Sequence, residues 1–207
     1  MRGTFIVLDG PDGSGTTTHA KTLAKRLKKA GFDVFETAEP SKGPIGVWIR
    51  ELLKGKNTIK GMALQLLFCA DRAWHLDAEI LPALEKGKIV VCDRYWHSTV
   101  VYAGAQSIDI DPLFSLNQDF IQPDITIFTL PSLQVCLERI GKRSAKDAFE
   151  TDAFQKKIHR LYRMMLEQDS SITDVDTEGA VSESADIIEA IARTVITKTK
   201  KSKSKRA

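Results

Sequence analysis

The sequence predicts an α/β fold in which a five-stranded parallel sheet carries helices on both faces. Two observations support this prediction. Apolar segments of strand length alternate along the chain with segments whose apolar residues recur at helical spacing. In addition, the strand-like segments are apolar at consecutive positions, which is typical of strands buried on both faces. Ligands of such sheets bind beyond the carboxyl ends of the strands, so functional residues are expected there.

The elements are assigned in order along the chain. The predicted strands cover residues 4–9, 33–38, 88–93, 124–130 and 172–176. The predicted helices cover residues 17–30, 45–53, 62–85, 98–103, 133–140, 151–168 and 182–196, and a further helix begins at Asp111. Gly31 and Gly55 are expected to end the first two helices, because glycine is common just after a helix. Pro82 is expected to bend or interrupt the third helix.

Length and charge define the domain organisation. The chain has 207 residues, of which 43% are hydrophobic, and this is enough for one domain with a sizeable core. We predict a single domain over residues 1–197 and a disordered basic tail over residues 198–207. The tail accounts for the net charge of +3. Because no other feature indicates nucleic-acid binding, a nucleic-acid partner is not expected.

The cysteines and the apolar segments bear on the compartment. Cys69, Cys92 and Cys136 are far apart and lie in apolar surroundings, so we interpret them as reduced core residues. The N-terminal apolar run is too short for a signal peptide, and no stretch approaches the length of a membrane span. We therefore expect a cytoplasmic protein without a membrane partner.

A glycine-rich segment follows the first predicted strand and precedes the first predicted helix. It has the G-x-x-x-x-G frame of a phosphate-binding loop. Its glycines leave room for phosphate oxygens, and the helix N-terminus attracts an anion. Thr17 stands where a hydroxyl ligates Mg2+ in such loops. The sequence therefore predicts a nucleotide phosphate site formed by Gly10, Pro11, Asp12, Gly13, Ser14, Gly15, Thr16, Thr17 and Thr18.

Thr16 occupies the position that is usually lysine in this frame. The lysine normally bridges the terminal phosphates and stabilises charge while the phosphoryl group moves. A hydroxyl cannot replace that charge. The loop therefore predicts phosphate binding more strongly than it predicts catalysis.

Two other pairs of residues suit a nucleotide site. Asp93 and Arg94 follow the third strand, where a carboxylate can hold hydrated Mg2+ and a guanidinium can bind phosphate. Phe68 and Arg72 are four residues apart, so on a helix they share one face. The ring could stack on a base while the guanidinium bonds the base edge. Taken alone, such a pair is more often a core phenylalanine beside a surface arginine.

Together these segments resemble the thymidylate kinase family over roughly residues 4–191. The matching segments are residues 9–15, Glu39-Pro40 with Ile45-Gly46, residues 67–73, Asp93-Arg94-Tyr95 with Ser98, Thr99 and Tyr102, residues 122–128, and Phe149-Glu150 with Phe154. Their order and spacing are far more specific than the phosphate loop alone. The resemblance implies a P-loop NTPase fold and the transfer of a phosphoryl group from ATP to dTMP, giving dTDP and ADP for dTTP biosynthesis.

The resemblance also implies roles for individual residues. In the substrate site, Phe68 would stack on thymine and Arg72 would bond the base edge. Asp12 would contact the sugar 3'-hydroxyl or the groups that position it, and Arg94 would contact the phosphates. The site would be completed by Glu39, Pro40, Ser98 and Tyr102. Mg2+ would be held by Thr17 and Asp93. A short mobile lid at about residues 141–150 would close over the nucleotides. Arg139 would contact ATP, and the catalytic residues would be Asp12, Asp93, Arg94, Lys142 and Arg143. The family further suggests a homodimer.

Three cations common in the family are missing. Many members have a lysine at the position of Thr16, and many have an arginine at the positions of Ala38 and Ala148. Phosphoryl transfer depends mainly on positioning and electrostatics, so other cations would have to compensate. The expected substitutes are Lys42, Arg94 and the lid-region residues Arg139, Lys142, Arg143 and Lys146.

Two alternative functions follow from the same residues. A P-loop kinase with another acceptor, such as dUMP or a deoxynucleoside, would keep the fold and the mechanism. The methyl group that separates dTMP from dUMP is worth only about 1–3 kcal/mol of discrimination. The missing cations also motivate a nucleotide-binding protein without turnover, although such a protein would have little reason to keep Asp12, Thr17, Phe68, Arg72, Asp93 and Arg94.

Overall fold

Parallel strands form the centre of the molecule in the computed structural model, which describes residues 2–56, 59–142 and 151–204. Within these ranges the strands are β1 (Thr4–Asp9), β2 (Val34–Ala38), β3 (Ile89–Asp93), β4 (Ile125–Thr129) and β5 (Ile172–Val175). They form one sheet in the order β2-β3-β1-β4-β5, and each neighbouring pair is parallel. The prediction of a five-stranded parallel α/β sheet is confirmed.

Helices connect the strands. They are α1 (Thr16–Lys29), α2 (Pro44–Glu51), α3 (Gly61–His75), α4 (Leu81–Glu85), α5 (Trp96–Ala105), α6 (Asp111–Gln118), α7 (Leu133–Gly141), α8 (Asp152–Gln168) and α9 (Val181–Ser204). Two π-helical turns extend them: Leu52–Lys56 follows α2, and Leu76–Ile80 joins α3 to α4. Across the described ranges, no helix combines the length and apolar character that crossing a membrane requires.

The structure corrects three expectations about where helices end or break. Gly55 does not end the second helix, because the chain continues through a π-helical turn to Lys56. Pro82 lies in the first turn of α4, directly after the other π-helical turn, where its missing N–H costs no intrahelical bond. The last helix reaches Ser204 instead of ending at Ile196, so it includes most of the basic segment that we expected to be disordered.

The side chains of β1 point alternately to the two faces of the sheet, and both faces are covered. Ile6 and Leu8 pack in a core with α1 and α9. Phe5 and Val7 pack on the opposite side in a core with α4 and α5. Each such buried side chain contributes about 1.5–3 kcal/mol to folding. This packing fixes β1 as the central strand, and the loop that follows it therefore starts from a rigid point.

The carboxyl ends of the strands align at one edge of the sheet. Leu8 and Ala38 both pair with Asp93, and Asp9 pairs with Phe128. The residues that follow β1, β2, β3 and β4 therefore meet at the same place. This edge carries the candidate site.

Candidate functional site

The loop after β1 has the backbone geometry of an anion site. Gly13 and Gly15 have φ angles of +78° and +90°, which favour glycine. A Cβ atom on Gly13 would lie 2.4 Å from the carbonyl oxygen of Cys136, so α7 also requires a glycine there. Helix α1 begins at Thr16, and its first turn contains no acidic residue. Its N–H groups and dipole are thus left to attract an anion such as phosphate.

The side chain of Thr16 does not face the space above the loop. It is buried beneath the loop in a cluster of three hydroxyl groups, with Ser14 and Thr129. Its oxygen lies 2.9 Å from that of Ser14 and 3.0 Å from that of Thr129, while Ser14 and Thr129 are 2.8 Å apart. The residue at the usual lysine position therefore ties the loop to the end of β4.

Thr17 and Asp93 lie together at the mouth of the loop. The Thr17 hydroxyl donates to Asp93 Oδ2 at 2.6 Å. The other carboxylate oxygen, Oδ1, is buried and has no hydrogen-bond partner among the described residues. Burial raises the pKa of Asp93, although Arg94 and the hydrogen bond from Thr17 oppose the shift. A buried carboxylate with an unused oxygen, next to a hydroxyl, suits a hard cation such as Mg2+.

Arg94 connects the phosphate loop to the third strand. Its guanidinium donates to the carbonyl of Gly10 at 2.9 Å and to Asp12 Oδ1 at 2.7 Å. It also lies 5.8 Å from the ring centre of Tyr102. Its φ angle of +71° lies in the left-handed region, which is unfavourable for arginine and is often found at functional sites. The local packing therefore holds this cation directly beside the loop.

Asp12 is fixed by donors from three helices or loops. Besides Arg94, it accepts from the Tyr102 hydroxyl at 2.6 Å and from Gln155 Nε2 at 3.0 Å. Burial raises the pKa of Tyr102 well above its usual value, and the charge of Asp12 adds to the shift. Tyr102 therefore remains a proton donor. Gln155, on α8, was not identified from the sequence.

Asp9, the last residue of β1, organises the surrounding segments. Its fully buried carboxylate accepts from the backbone of Gly10, Tyr95 and Ser98, from the Ser98 hydroxyl at 2.6 Å and from Tyr162 at 2.8 Å. Burial and the negative charge of Asp9 both raise the pKa of Tyr162. Asp9 was given no role from the sequence, because most of its hydrogen-bond partners lie on other elements.

A cavity of about 140 Å³ lies beside this network. Its walls come from α3, α5, the phosphate loop and the turn after β2. The predicted substrate residues are all among its lining residues: Asp12, Glu39, Pro40, Phe68, Arg72, Arg94, Ser98 and Tyr102. Leu53, Gln65, Tyr95 and Thr99 also line it. The structure thus brings together residues that are up to 90 positions apart in the sequence.

Arg72 is buried and firmly held in the wall of this cavity. Its guanidinium contacts Glu39 at 2.7 Å, Asn117 Oδ1 at 2.6 Å and Thr99 Oγ1 at 3.1 Å, and it lies over the ring of Tyr95. These contacts use most of its five N–H donors. The alternative interpretation of Arg72 as a surface arginine is wrong, because its side chain is buried in the wall of the cavity.

Gln65 lies one helical turn from Phe68 on α3 and faces the same cavity. It is 1% exposed, and neither its amide oxygen nor its amide nitrogen has a hydrogen-bond partner among the described residues. Gln65 was not identified from the sequence. The spacing of Gln65, Phe68 and Arg72, three and then four residues apart, would have placed all three on one helix face.

The turn after β2 carries a cation that the sequence analysis also missed. Arg50, on α2, donates to the carbonyl groups of Pro40 and Ser41. The Glu39–Pro40 peptide is cis. Asp71 holds the same turn by accepting from the backbone and the hydroxyl of Ser41 at 2.6 Å. Lys42, one of the expected substitutes for the missing cations, is exposed next to this turn.

Two of the lid-region cations, Arg139 and Lys142, lie within the described residues. Arg139 donates to the carbonyl of Thr177 at 2.6 Å and lies 3.4 Å from that of Gly13, so it joins the phosphate loop to the segment after β5. Lys142 is exposed at the end of α7. The remaining lid positions, Arg143, Lys146, Ala148, Phe149 and Glu150, lie outside the described residues.

Two histidines near the phosphate loop and α5 have supporting positions. His19 bonds the carbonyl of Gly15 at 2.9 Å and the Ser184 hydroxyl at 2.7 Å, and burial lowers its pKa. It therefore links α1 to α9. His97 is stacked on Trp96 and packs against Phe128, and it is not among the residues that line the cavity at Phe68.

Comparison with known proteins agrees with this geometry. Residues 8–188 match the sequence model of the family described as Thymidylate kinase. The chain is 36% identical over 199 residues to a probable thymidylate kinase of Pyrococcus abyssi, covering 93% of this chain and 97% of that one. It is 40% identical over 177 residues to the thymidylate kinase of Halothermothrix orenii, covering 81% and 86%. The thymidylate kinase of Caldicellulosiruptor saccharolyticus is 32% identical over 202 residues, covering 94% and 97%.

Proposed function

The chain belongs to the thymidylate kinase family, whose members phosphorylate dTMP with ATP for dTTP synthesis, and we propose that this transfer takes place between the phosphate loop and the cavity at Phe68. One observation carries the proposal: Arg94 contacts both regions. It bonds the loop at Gly10 and Asp12, and its side chain also lines the cavity. A cation in that position can contact the phosphates of both nucleotides.

On the donor side, the loop backbone from Gly13 to Thr17 and the N-terminus of α1 would hold the terminal phosphates of ATP. Arg139 would steady the nucleotide, since it already bonds Gly13 and Thr177. The oxygens of Thr17 and Asp93 fit Mg2+, which when bound supplies positive charge to the transferring phosphates. Asp93 would be ionised for this role.

On the acceptor side, Phe68 would stack on the thymine ring, and Arg72 would keep a rigid donor at the base edge. Asp12 would accept from the sugar 3'-hydroxyl, because Arg94, Tyr102 and Gln155 fix its orientation. The phosphate of dTMP would point toward the loop. Holding both nucleotides in line converts the reaction into an effectively unimolecular step.

In this step an oxygen of the dTMP phosphate forms a bond to the γ-phosphorus of ATP as the bond to the β-phosphate oxygen breaks. No covalent enzyme intermediate is needed. The enzyme contributes fixed positive charge around the transferring group, which is the main source of catalysis in such reactions. Arg94 is placed to supply that charge, and Lys142 and Arg143 are proposed to add to it.

The missing cations have one further substitute. Arg50 bonds the carbonyl groups of Pro40 and Ser41, so a guanidinium lies at the turn where Ala38 replaces the family arginine. We propose that Arg50 compensates for that arginine near the dTMP phosphate. The loop position itself is not refilled by Thr16, whose hydroxyl is engaged below the loop.

We also propose a homodimer in the cytoplasm. Large apolar side chains are exposed on α2, α3 and α6, and α3 contacts both of the other helices. Such exposed apolar surfaces often form protein interfaces. The three cysteines are free and buried, which agrees with a reducing compartment.

The acceptor is tested by mixing the purified protein with ATP, Mg2+ and one nucleotide and measuring ADP formation. We expect a rate with dTMP well above the rates with dUMP, dCMP, dGMP, dAMP or no acceptor. Preference for dUMP or another nucleotide of this set would keep the mechanism and correct the substrate. Binding of ATP and dTMP without ADP formation would instead support a nucleotide-binding protein without turnover.

A further inference from the structure

Burial of the Gln65 side chain costs free energy, and no hydrogen bond among the described residues offsets that cost. Transferring an amide out of water without a hydrogen-bond partner is unfavourable, and nearly all buried polar groups in native proteins are paired. Here both amide atoms are unpaired within the described part of the chain, and the side chain is 1% exposed. If the residue at position 65 only filled space, methionine or leucine there would make the folded protein more stable.

The position of Gln65 explains what the amide could bind. It lines the same cavity as Phe68 and Arg72 and lies on the same face of α3. Phe68 offers a flat ring to one face of a base, while Arg72 has committed most of its donors to Glu39, Asn117 and Thr99. Gln65 is therefore the polar group in this wall with a free donor and a free acceptor among the described residues.

We propose that Gln65 is a specificity-determining residue that pairs with the N3–H and O4 edge of the acceptor pyrimidine. The amide oxygen would accept from N3–H, and the amide NH2 would donate to O4. A planar amide can make two such bonds side by side to a base edge that presents one donor and one acceptor. This inference rests on the proposed function, since it names the group that reads the base of dTMP.

The chemistry also limits what Gln65 can discriminate. An amide can turn over and present its donor where its acceptor was, so it could also pair with cytosine. Arg72 carries donors only, and it therefore favours a base with a carbonyl oxygen at position 4. Gln65 would add affinity for the pyrimidine edge, while Arg72 would select thymine or uracil over cytosine.

The test compares Gln65→Met with the wild-type protein. Methionine has a similar length and shape but no hydrogen-bonding amide. We expect the dissociation constant for dTMP, measured calorimetrically, to rise roughly 10- to 100-fold, which corresponds to losing two ordinary hydrogen bonds. The melting temperature without nucleotide should stay the same or increase, because a buried unpaired amide is removed. The KM for ATP should be unchanged.

Leu64→Met provides the matched control. Leu64 is the neighbouring buried residue on α3 and is not among the residues that line the cavity. It should leave dTMP binding unchanged. N3-methyl-dTMP gives a second measurement. Methylation should weaken binding to the wild-type protein much more than binding to Gln65→Met, because the variant makes no hydrogen bond to N3–H that methylation could remove.

Two results would overturn the proposal. One is equal dTMP affinity for the wild type and Gln65→Met. The other is a loss of affinity together with a lower melting temperature without nucleotide, which would indicate a structural role. A failure of the proposed function would be seen separately, as absence of ADP formation by the wild-type protein with dTMP.

Discussion

Thr16 and Thr17 are neighbours in the chain but have opposite surroundings. Thr16 is buried under the loop with Ser14 and Thr129, whereas Thr17 is exposed at the loop mouth and bonds Asp93. The hydroxyl at the usual lysine position is therefore structural, and the next hydroxyl, Thr17, is the one that we propose faces the nucleotide. Because of this difference, the same threonine-to-valine substitution, made at each position in turn, can distinguish a structural role from a catalytic role.

We predict that Thr17→Val lowers kcat on the order of 100-fold. The substitution removes the proposed Mg2+ ligand and the hydrogen bond that orients the Asp93 carboxylate. Thr16→Val should change kcat by less than about threefold, since Ser14 and Thr129 still bond each other and no hydroxyl is left unpaired. Steady-state kinetics over a range of Mg2+ concentrations measures both. Equal losses in the two variants would contradict this assignment.

At the same scale, the sequence predicted the residues that belong to contiguous motifs. The loop and the Asp93-Arg94 pair stand out because of their position at a strand end. The spacing of Phe68 and Arg72 is common on ordinary helices, so their predicted role came from the family resemblance. Asp9, Arg50 and Gln155 could not be given roles in this way. Their partners lie on other elements, so the hydrogen bonds that define their roles form only when the chain folds.

At the scale of elements, periodicity was sufficient to predict the strands and most of the helices. The exceptions are instructive. Glycine at position 55 was expected to end a helix, but the chain absorbs it in a π-helical turn. The basic segment after residue 197 was expected to lack structure, yet α9 continues through it to Ser204. A helix already docked by Ile188, Ala192 and Ile196 can propagate further, because nucleation has been completed.

Helices α2, α3 and α6 share an exposed apolar surface. Val47 and Trp48 on α2 are 52% and 47% exposed, Leu66 on α3 is 47% exposed, and Phe114 on α6 is 44% exposed. Periodicity could not assign this surface, since an interface helix and a core helix have the same pattern. Because α3 also lines the cavity at Phe68, the proposed dimer interface would lie next to the proposed acceptor site.

We predict that Trp48→Glu combined with Phe114→Glu converts a dimer into a monomer, because charges would then be buried at the centre of the interface. Light scattering coupled to gel filtration measures the molar mass. Ile187→Glu is the matched control: Ile187 is a similarly exposed apolar residue, but it lies on α9. The surface would not be the interface if the double variant kept the wild-type mass.

At the scale of the whole molecule, His97 makes stability depend on pH. Burial lowers the pKa of His97 from 6.5 to about 4, with Asp9 partly opposing the shift. The unfolded chain therefore binds a proton on this residue at a higher pH than the folded chain does. As the pH falls from 6.5 to 4, the free energy of unfolding decreases, and His97 accounts for about 3 kcal/mol of that decrease.

We predict that His97→Phe and His97→Gln both lose roughly 2 kcal/mol less stability than the wild type when the pH is lowered from 7 to 5. Urea unfolding at the two pH values gives the difference. The phenylalanine variant keeps the aromatic contacts with Trp96 and Phe128, and the glutamine variant keeps polarity, so agreement between them isolates titration from packing. A wild-type pH response in both variants would exclude His97 as the cause.

The carboxylate of Asp9 has a consequence for how the molecule reaches its active form. Its partners Tyr95, Ser98 and Tyr162 lie 86, 89 and 153 residues further along the chain. Contacts of such long range carry a large entropic cost, because long loops must close before the contacts can form. Partly folded chains that contain β1, its loop and β3 but have not yet docked α8 would lack the Tyr162 bond and hold the Asp93-Arg94 segment loosely. Because the Asp9 carboxylate is fully paired only when α8 is docked, we expect recovery of activity to be a stricter sign of complete folding than recovery of helix content.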